Sequence, residues 1–129
     1  MPEEILALVR RVYESWNEHG VKSIEPFLAD DVEARDAPEM PDARNWRGRV
    51  AVLTRLEEVA TSVGGGWADL RGFERHGHKV LVSMVWQENQ RKDSPAFAEI
   101  FHVVEVSDGR IQSLSVFLDR PAAEAAAAE

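Results

Sequence analysis

The chain has 129 residues and no cysteine, which gives it the size of one domain with a substantial core and excludes a disulfide framework, a thiol nucleophile and a thiolate metal site. Its 23 acidic against 15 basic residues leave a formal charge of -8, and this argues against nucleic acid or an anionic membrane as partner, since both are held by clusters of Lys and Arg. The N-terminus lacks the basic region and long apolar run of a signal peptide, and no apolar stretch approaches the ~20 residues that span a bilayer, so a cytoplasmic protein is expected.

In chain order, Ile5, Leu8, Val9, Val12, Tyr13 and Trp16 fall at the three-and-four spacing of one helical face. They predict a first helix over Glu3 to Glu18, stopped at Gly20. Ser23 is placed to cap a short second helix, with Pro26 in its first turn and Ile24, Phe27 and Leu28 turned inward. Val32 to Asp36 read as a short strand that points Asp36 to the same side as Ala34. Pro38 and Pro41 forbid a regular ladder from Ala37 to Asn45, which predicts an ordered loop over a cavity mouth, with Trp46 clamping it onto the next helix. Gly48 opens that third helix, whose stripe is Val50, Leu53, Leu56, Val59, Ala60 and Val63, and Gly64-Gly65-Gly66 ends it.

The second half changes period. Trp67 to Arg75, Lys79 to Gln90, Ala96 to Val106 and Arg110 to Asp119 alternate as four strands of an antiparallel meander, joined at His76-Gly77, at Arg91 to Pro95 and at Ser107-Asp108-Gly109. Residues 122–129 are alanine-rich with no face to bury, which predicts a frayed tail after a single domain over residues 1–121. Helices first and strands second give an α+β fold: a curved, cone-shaped antiparallel sheet with three N-terminal helices on its concave face, enclosing a pocket.

The predicted facings nominate the site. Asp36 is the candidate general base, because a carboxylate in an apolar concavity is driven toward neutrality by desolvation; the competing role is a loop carboxylate that caps backbone N–H groups. Trp16, with Met84 and Trp86 on one strand face, makes an aromatic wall for a small hydrophobic molecule, or else fills the cone. Phe101 is placed on the concave face, which carries Glu99 with it as a second acid, the competing role of Glu99 being a rim residue paired with an Arg at the hairpin end; Val116 and Leu118 line the same face. His102, Ile100 and Val104 then point outward, and an apolar outer face predicts a homodimer through the sheet. His76-Gly77-His78 has no third ligand in sight, so no metal site is expected.

Four pieces in order, Tyr13-Glu14-Ser15-Trp16-Asn17, Phe27-Leu28-Ala29-Asp30-Asp31, Trp46-Arg47-Gly48-Arg49 and Asp108-Gly109-Arg110-Ile111, carry a likeness across nearly the whole chain. The chain resembles the nuclear transport factor two-like superfamily, and within it the SnoaL-like polyketide cyclase and ketosteroid isomerase branch. The resemblance implies the cone fold and no cofactor, but not one reaction, because isomerases, cyclases, dehydratases, epoxide hydrolases and non-catalytic members share this scaffold. The steroid isomerases pair an Asp base with an oxyanion hole of Tyr and protonated Asp. By resemblance Asp36 falls at the base. Val12 falls at the Tyr, with Tyr13 one position and about 100° away on the helix, and Phe101 falls at the protonated acid. Tyr13 and Glu99 are the remaining candidates to stabilise an oxyanion. Two functions are therefore carried forward: a cofactor-independent isomerase, cyclase or dehydratase on a hydrophobic cyclic substrate, and a non-catalytic small-ligand-binding domain.

Overall fold

The computed structural model describes residues 2–40, 43–62, 67–87 and 96–129. Helix α1 spans Pro2–His19 and is followed by a 3₁₀ helix over Val21–Phe27. Ser23 lies inside the 3₁₀ turn rather than capping it, and its hydroxyl donates to the Gly20 carbonyl at 2.7 Å. Strand β1 covers Leu28–Arg35, starting four residues before the predicted strand. A three-residue strand β2, Asn45–Arg47, pairs back onto it with Ala34 opposite Trp46. Helix α2, Arg49–Ser62, is pinned at its start where Arg49 donates to the Leu28 carbonyl at 3.0 Å and pairs with Asp30 at 2.9 Å. In α2 the buried face is Val52, Leu53, Leu56 and Ala60, whereas Val50, predicted to face inward, is solvent-exposed. The triple-glycine stop, Val63, Pro41 and the connection from Arg91 to Pro95 lie outside the described residues.

Strands β3 (Trp67–His76), β4 (Lys79–Gln87), β5 (Ala96–Ser107) and β6 (Arg110–Phe117) follow. Among the described residues they form one six-stranded sheet ordered β2-β1-β6-β5-β4-β3, antiparallel except where β1 runs parallel to β6. Asp108 and Gly109 both take positive φ, 52° and 74°, in the tight β5–β6 turn, the twist that a two-residue hairpin requires. Register shifts at Leu70/Gly72, Trp86/Gln87 and Glu105/Val106 bend the strands so that the sheet curls around α1 and α2. The main core lies between them: Val9, Val12, Tyr13 and Trp16 from α1 meet Val80, Val82, Met84 and Trp86 from β4 and Ile100 and Val104 from β5. Burying each large apolar side chain there stabilises the fold by roughly 1.5–3 kcal/mol.

Strand β5 reverses the predicted facing. Ile100, His102 and Val104 point into the main core, and Phe101 and Val103 point to the convex face. The reason is physical: β5 is apolar on both sides, so alternation alone does not choose a face. Phe101, Val103 and Leu81 are covered instead by helix α3, Arg120–Ala128, which turns residues predicted to fray into a packed element. Asp119, at the foot of α3, accepts from the Ala122 N–H at 3.2 Å, and Lys79 donates to the Ala126 carbonyl at 3.1 Å, so both ends of the helix are capped. Ala123 and Ala127 are buried against the sheet, and their short side chains let the helix lie close. The apolar outer face from which a homodimer was expected therefore carries α3, and Ile100 and Val104 are interior.

Candidate active site

Tyr13 sits on the inward face of α1 and His102 at the middle of β5, and the curl of the sheet brings them together. The phenol oxygen and His102 Nδ1 share a hydrogen bond of 2.6 Å, both residues being 2% exposed. Burial pushes the phenol well above its ordinary value and lowers the imidazole from 6.5 to about 3, since desolvation disfavours each charged form. Near neutral pH the pair is therefore phenol and neutral imidazole. With the phenol donating, His102 Nε2 carries a free N–H; in the other tautomer the phenol proton is free and Nε2 offers a lone pair. Either way, among the described residues, the pair keeps one donor and one acceptor that no further hydrogen bond uses.

Aromatic rings surround it. Trp16 stacks on Tyr13 with centroids 5.9 Å apart, and Phe73 meets Tyr13 edge-on at 6.3 Å. Trp16 also lies 6.4 Å from His102 and, edge-on, 6.2 Å from Trp86. A hydrogen bond in such surroundings is electrostatically stronger than in water, and a buried polar atom left unpaired costs about 1–3 kcal/mol.

Asp36 is in a different setting, one residue past β1. Its side chain is 3% exposed and forms a two-point ion pair with Arg55 of α2, at 3.0 Å from Nη2 to Oδ2 and 3.3 Å from Nε to Oδ1. Oδ2 also accepts from Trp46 Nε1 at 3.1 Å and from the Arg44 backbone N–H at 3.2 Å. The guanidinium groups of Arg44 and Arg55 lie 5.0 and 5.3 Å from the Trp46 ring. The cluster ties the loop, β2 and α2 together, with Trp46 as the expected clamp and the Asp36 carboxylate as its anchor.

The other predicted site residues divide between the faces. Val12, Trp16, Met84 and Trp86 are buried in the main core with the pair, and Val116 packs half-buried against that core. Phe101 lies under α3 on the convex side, Glu99 is exposed, and Leu118 is exposed just past the end of β6. Among the described residues no three His, Cys, Asp or Glu side chains are placed to hold a metal ion, and no helix is long and apolar enough to cross a membrane.

The sequence of residues 9–114, from α1 to β6, matches the SnoaL-like domain. The chain belongs to the SnoaL-like family. Helix α3 lies outside the matched span of this SnoaL-like chain. No curated protein matches the chain. Among solved structures it is similar to Bal32a from a soil-derived mobile gene cassette, with 18% identity, 90% of this chain and 89% of that one covered, and a TM-score of 0.75. It is similar to TerC, co-crystallized with polyporic acid, at 17% identity, 95% and 96% coverage and a TM-score of 0.74. A candidate ketosteroid isomerase from Kribbella flavida DSM 17836 matches at 20% identity, 92% and 79% coverage and a TM-score of 0.73. At these identities the likeness establishes the nuclear transport factor two-like fold.

Sequence reasoning missed His102 and Arg55 as members of these clusters. For His102 the available signal was a lone polar side chain in the apolar run from Ile100 to Val104, with Glu99 and Glu105 both in the phase opposite to it. For Arg55 it was an arginine three residues after the buried Val52, on the edge of the helix stripe.

Proposed function

We propose that this SnoaL-like protein is a cofactor-independent acid–base enzyme acting on a small, hydrophobic, cyclic carbonyl compound, with Tyr13 and His102 as the reacting pair. The 2.6 Å hydrogen bond between two neutral groups inside a cage of rings carries the reading. The pair presents one donor and one acceptor, linked through its own hydrogen bond. The donor hydrogen-bonds the carbonyl oxygen and gives up its proton as the enol forms, and the acceptor takes the proton from the α-carbon. One proton leaves the pair and one enters it, so no net charge is created where charge is expensive. Return of a proton to a different carbon completes an isomerisation, and ring closure or dehydration uses the same enol. Asp36 holds the loop in this scheme instead of serving as the base, because both its oxygens already accept hydrogen bonds.

A second reading, a non-catalytic domain that binds a small ligand, is favoured by the closure of the interior: Trp16 and Trp86 are 5% and 2% exposed. Deuterium uptake separates the two. Incubated with 1-tetralone in D₂O, the protein should accelerate exchange of the α-protons seen by NMR, and Tyr13→Phe and His102→Gln should each lower the enzymatic rate by about 10²–10³. Binding with no exchange above buffer supports the ligand-binding domain. Wild-type exchange rates in both variants would remove the pair from the mechanism.

A further inference from the structure

On the convex side of the sheet, between helix α3 and strand β1, lies a cavity of about 310 Å³ that the chemistry of the interior does not use. One row across its floor runs Val103, Ser115 and Arg35, each opposite the next in register on β5, β6 and β1. Adjacent strands lie about 4.8 Å apart, so an apolar wall, a hydroxyl and a cation follow one another within about 10 Å. Phe117 of β6 and Ala126 of α3 pack with Val103 and widen the apolar end. Asn45, opposite Arg35 on β2, lies beyond the cation.

The polar groups around this cavity are unequally occupied. Ser113 donates to Glu105 at 3.3 Å, and Lys79, opposite Glu105 in register, donates to the Ala126 carbonyl at 3.1 Å. Glu129 lines the cavity from the end of α3. The Ser115 hydroxyl is half-buried and, among the described residues, has no hydrogen-bond partner. Arg35 meets Glu33 only at 4.0 Å, and Glu33 is held more closely by Arg47 at 3.1 Å. Asp36, next in the chain, is matched by Arg55. In a chain of charge -8, the Arg35 end of the groove therefore carries a guanidinium without a close counter-ion, with a spare hydroxyl beside it. We infer that the groove is a binding site for a small carboxylate with an apolar body. Arg35 and Ser115 take the carboxylate, whose two oxygens match the paired N–H groups of a guanidinium. The apolar body lies on Val103, Phe117 and Ala126. An inorganic anion would leave that wall uncovered, and a neutral ring would leave Arg35 without its counter-ion. The site is on the face of the sheet opposite Tyr13 and His102, and it stands whether or not they are the reacting pair.

Three probes test this by NMR titration: benzoate, its neutral isostere benzamide, and acetate, which has the charge without the ring. The wild-type protein should bind benzoate about fivefold more tightly than benzamide, the increment of one two-point ion pair at a half-exposed arginine. Acetate should bind at least about fivefold more weakly than benzoate, for want of the apolar area. Arg35→Gln should bring benzoate and benzamide within about twofold of each other, and Ser115→Ala should weaken benzoate by about two- to fivefold. In the wild-type protein the backbone amides that move most with benzoate should be those of Val103, Ser115, Phe117 and Ala126, a readout that does not depend on how well a variant folds. Equal affinity for benzoate and benzamide, acetate binding as well as benzoate, a charge preference that survives in Arg35→Gln, shifts centred on Tyr13 and His102, or no saturation by benzoate below about 10 mM would each overturn the assignment.

Discussion

The Asp36 lock, part-buried at the edge of the fold, and the Tyr13–His102 pair, buried in the main core, are both polar clusters, and they are built on opposite terms. Asp36 is charged, opposed by Arg55, and its two oxygens accept from four donors on Arg55, Trp46 and the Arg44 backbone. Tyr13 and His102 are neutral, share one hydrogen bond, and keep a donor and an acceptor unspent. A saturated buried charge holds chain segments together, because removing one partner leaves the other stranded. An unsaturated neutral pair holds little and has capacity left for a ligand. On the function proposed above, the carboxylate that looks most catalytic in the sequence takes the structural role, and the histidine that looks peripheral takes the central one.

The largest expected effect lies on the pair and comes from acid. His102 binds its proton near pH 6.5 when unfolded and near 3 when folded. Between those values the unfolded state holds more protons, so stability is fully present above pH 6.5 and falls as the pH drops toward 3, by up to about 5 kcal/mol. Urea unfolding at a series of pH values measures it, and His102→Gln should flatten the slope in that window. An unchanged slope in the variant would mean that this imidazole is not held neutral.

The next effect lies on the lock. Arg55→Ala strands the Asp36 carboxylate and should cost about 3–5 kcal/mol in the same assay. Asp36→Asn, which keeps the shape, should cost less and leave 1-tetralone exchange per folded molecule within about threefold of wild type. A loss of exchange as large as that of Tyr13→Phe would return Asp36 to the chemistry and break the contrast. An Arg55→Ala cost below about 1 kcal/mol would show that the lock bears little of the fold.

Much of this architecture is legible in the residues. The spacing of Val9, Val12, Tyr13 and Trp16 fixes the helix and its inward face. Val80, Val82, Met84 and Trp86 are apolar without a break, while the opposite phase of Leu81, Ser83 and Val85 is interrupted by a serine, which favours the first set as the concave face of β4. Strand β5 could not be read the same way, because Ile100 and Val104 in one phase and Phe101 and Val103 in the other are equally apolar. The tie is broken by α3, whose buried positions are alanines and so leave no apolar stripe strong enough to announce a packed helix. One error produced the others: once Phe101 is placed inside, Glu99 follows it in and His102 is sent out. Asp36 was visible as a buried acid, but its partner Arg55 lies 19 residues away on another element, a pairing that no local pattern encodes.

The smallest effect is the most discriminating one for the pair itself. Tyr13→Phe alone leaves His102 Nδ1 without its partner and should cost about 1–2 kcal/mol of unfolding free energy. His102→Met alone leaves the phenol unpaired and should cost a similar amount. Replacing both removes the buried polar atoms together while keeping the volumes close, and such exchanges are often nearly neutral. The double variant is therefore expected within about 1 kcal/mol of wild type, with a coupling energy comparable to either single loss. Its fold would survive while exchange of 1-tetralone disappears, the signature of polar groups kept for a reaction. If the two losses simply add, each side chain is held by its own packing, and the hydrogen bond between them is incidental to both stability and function.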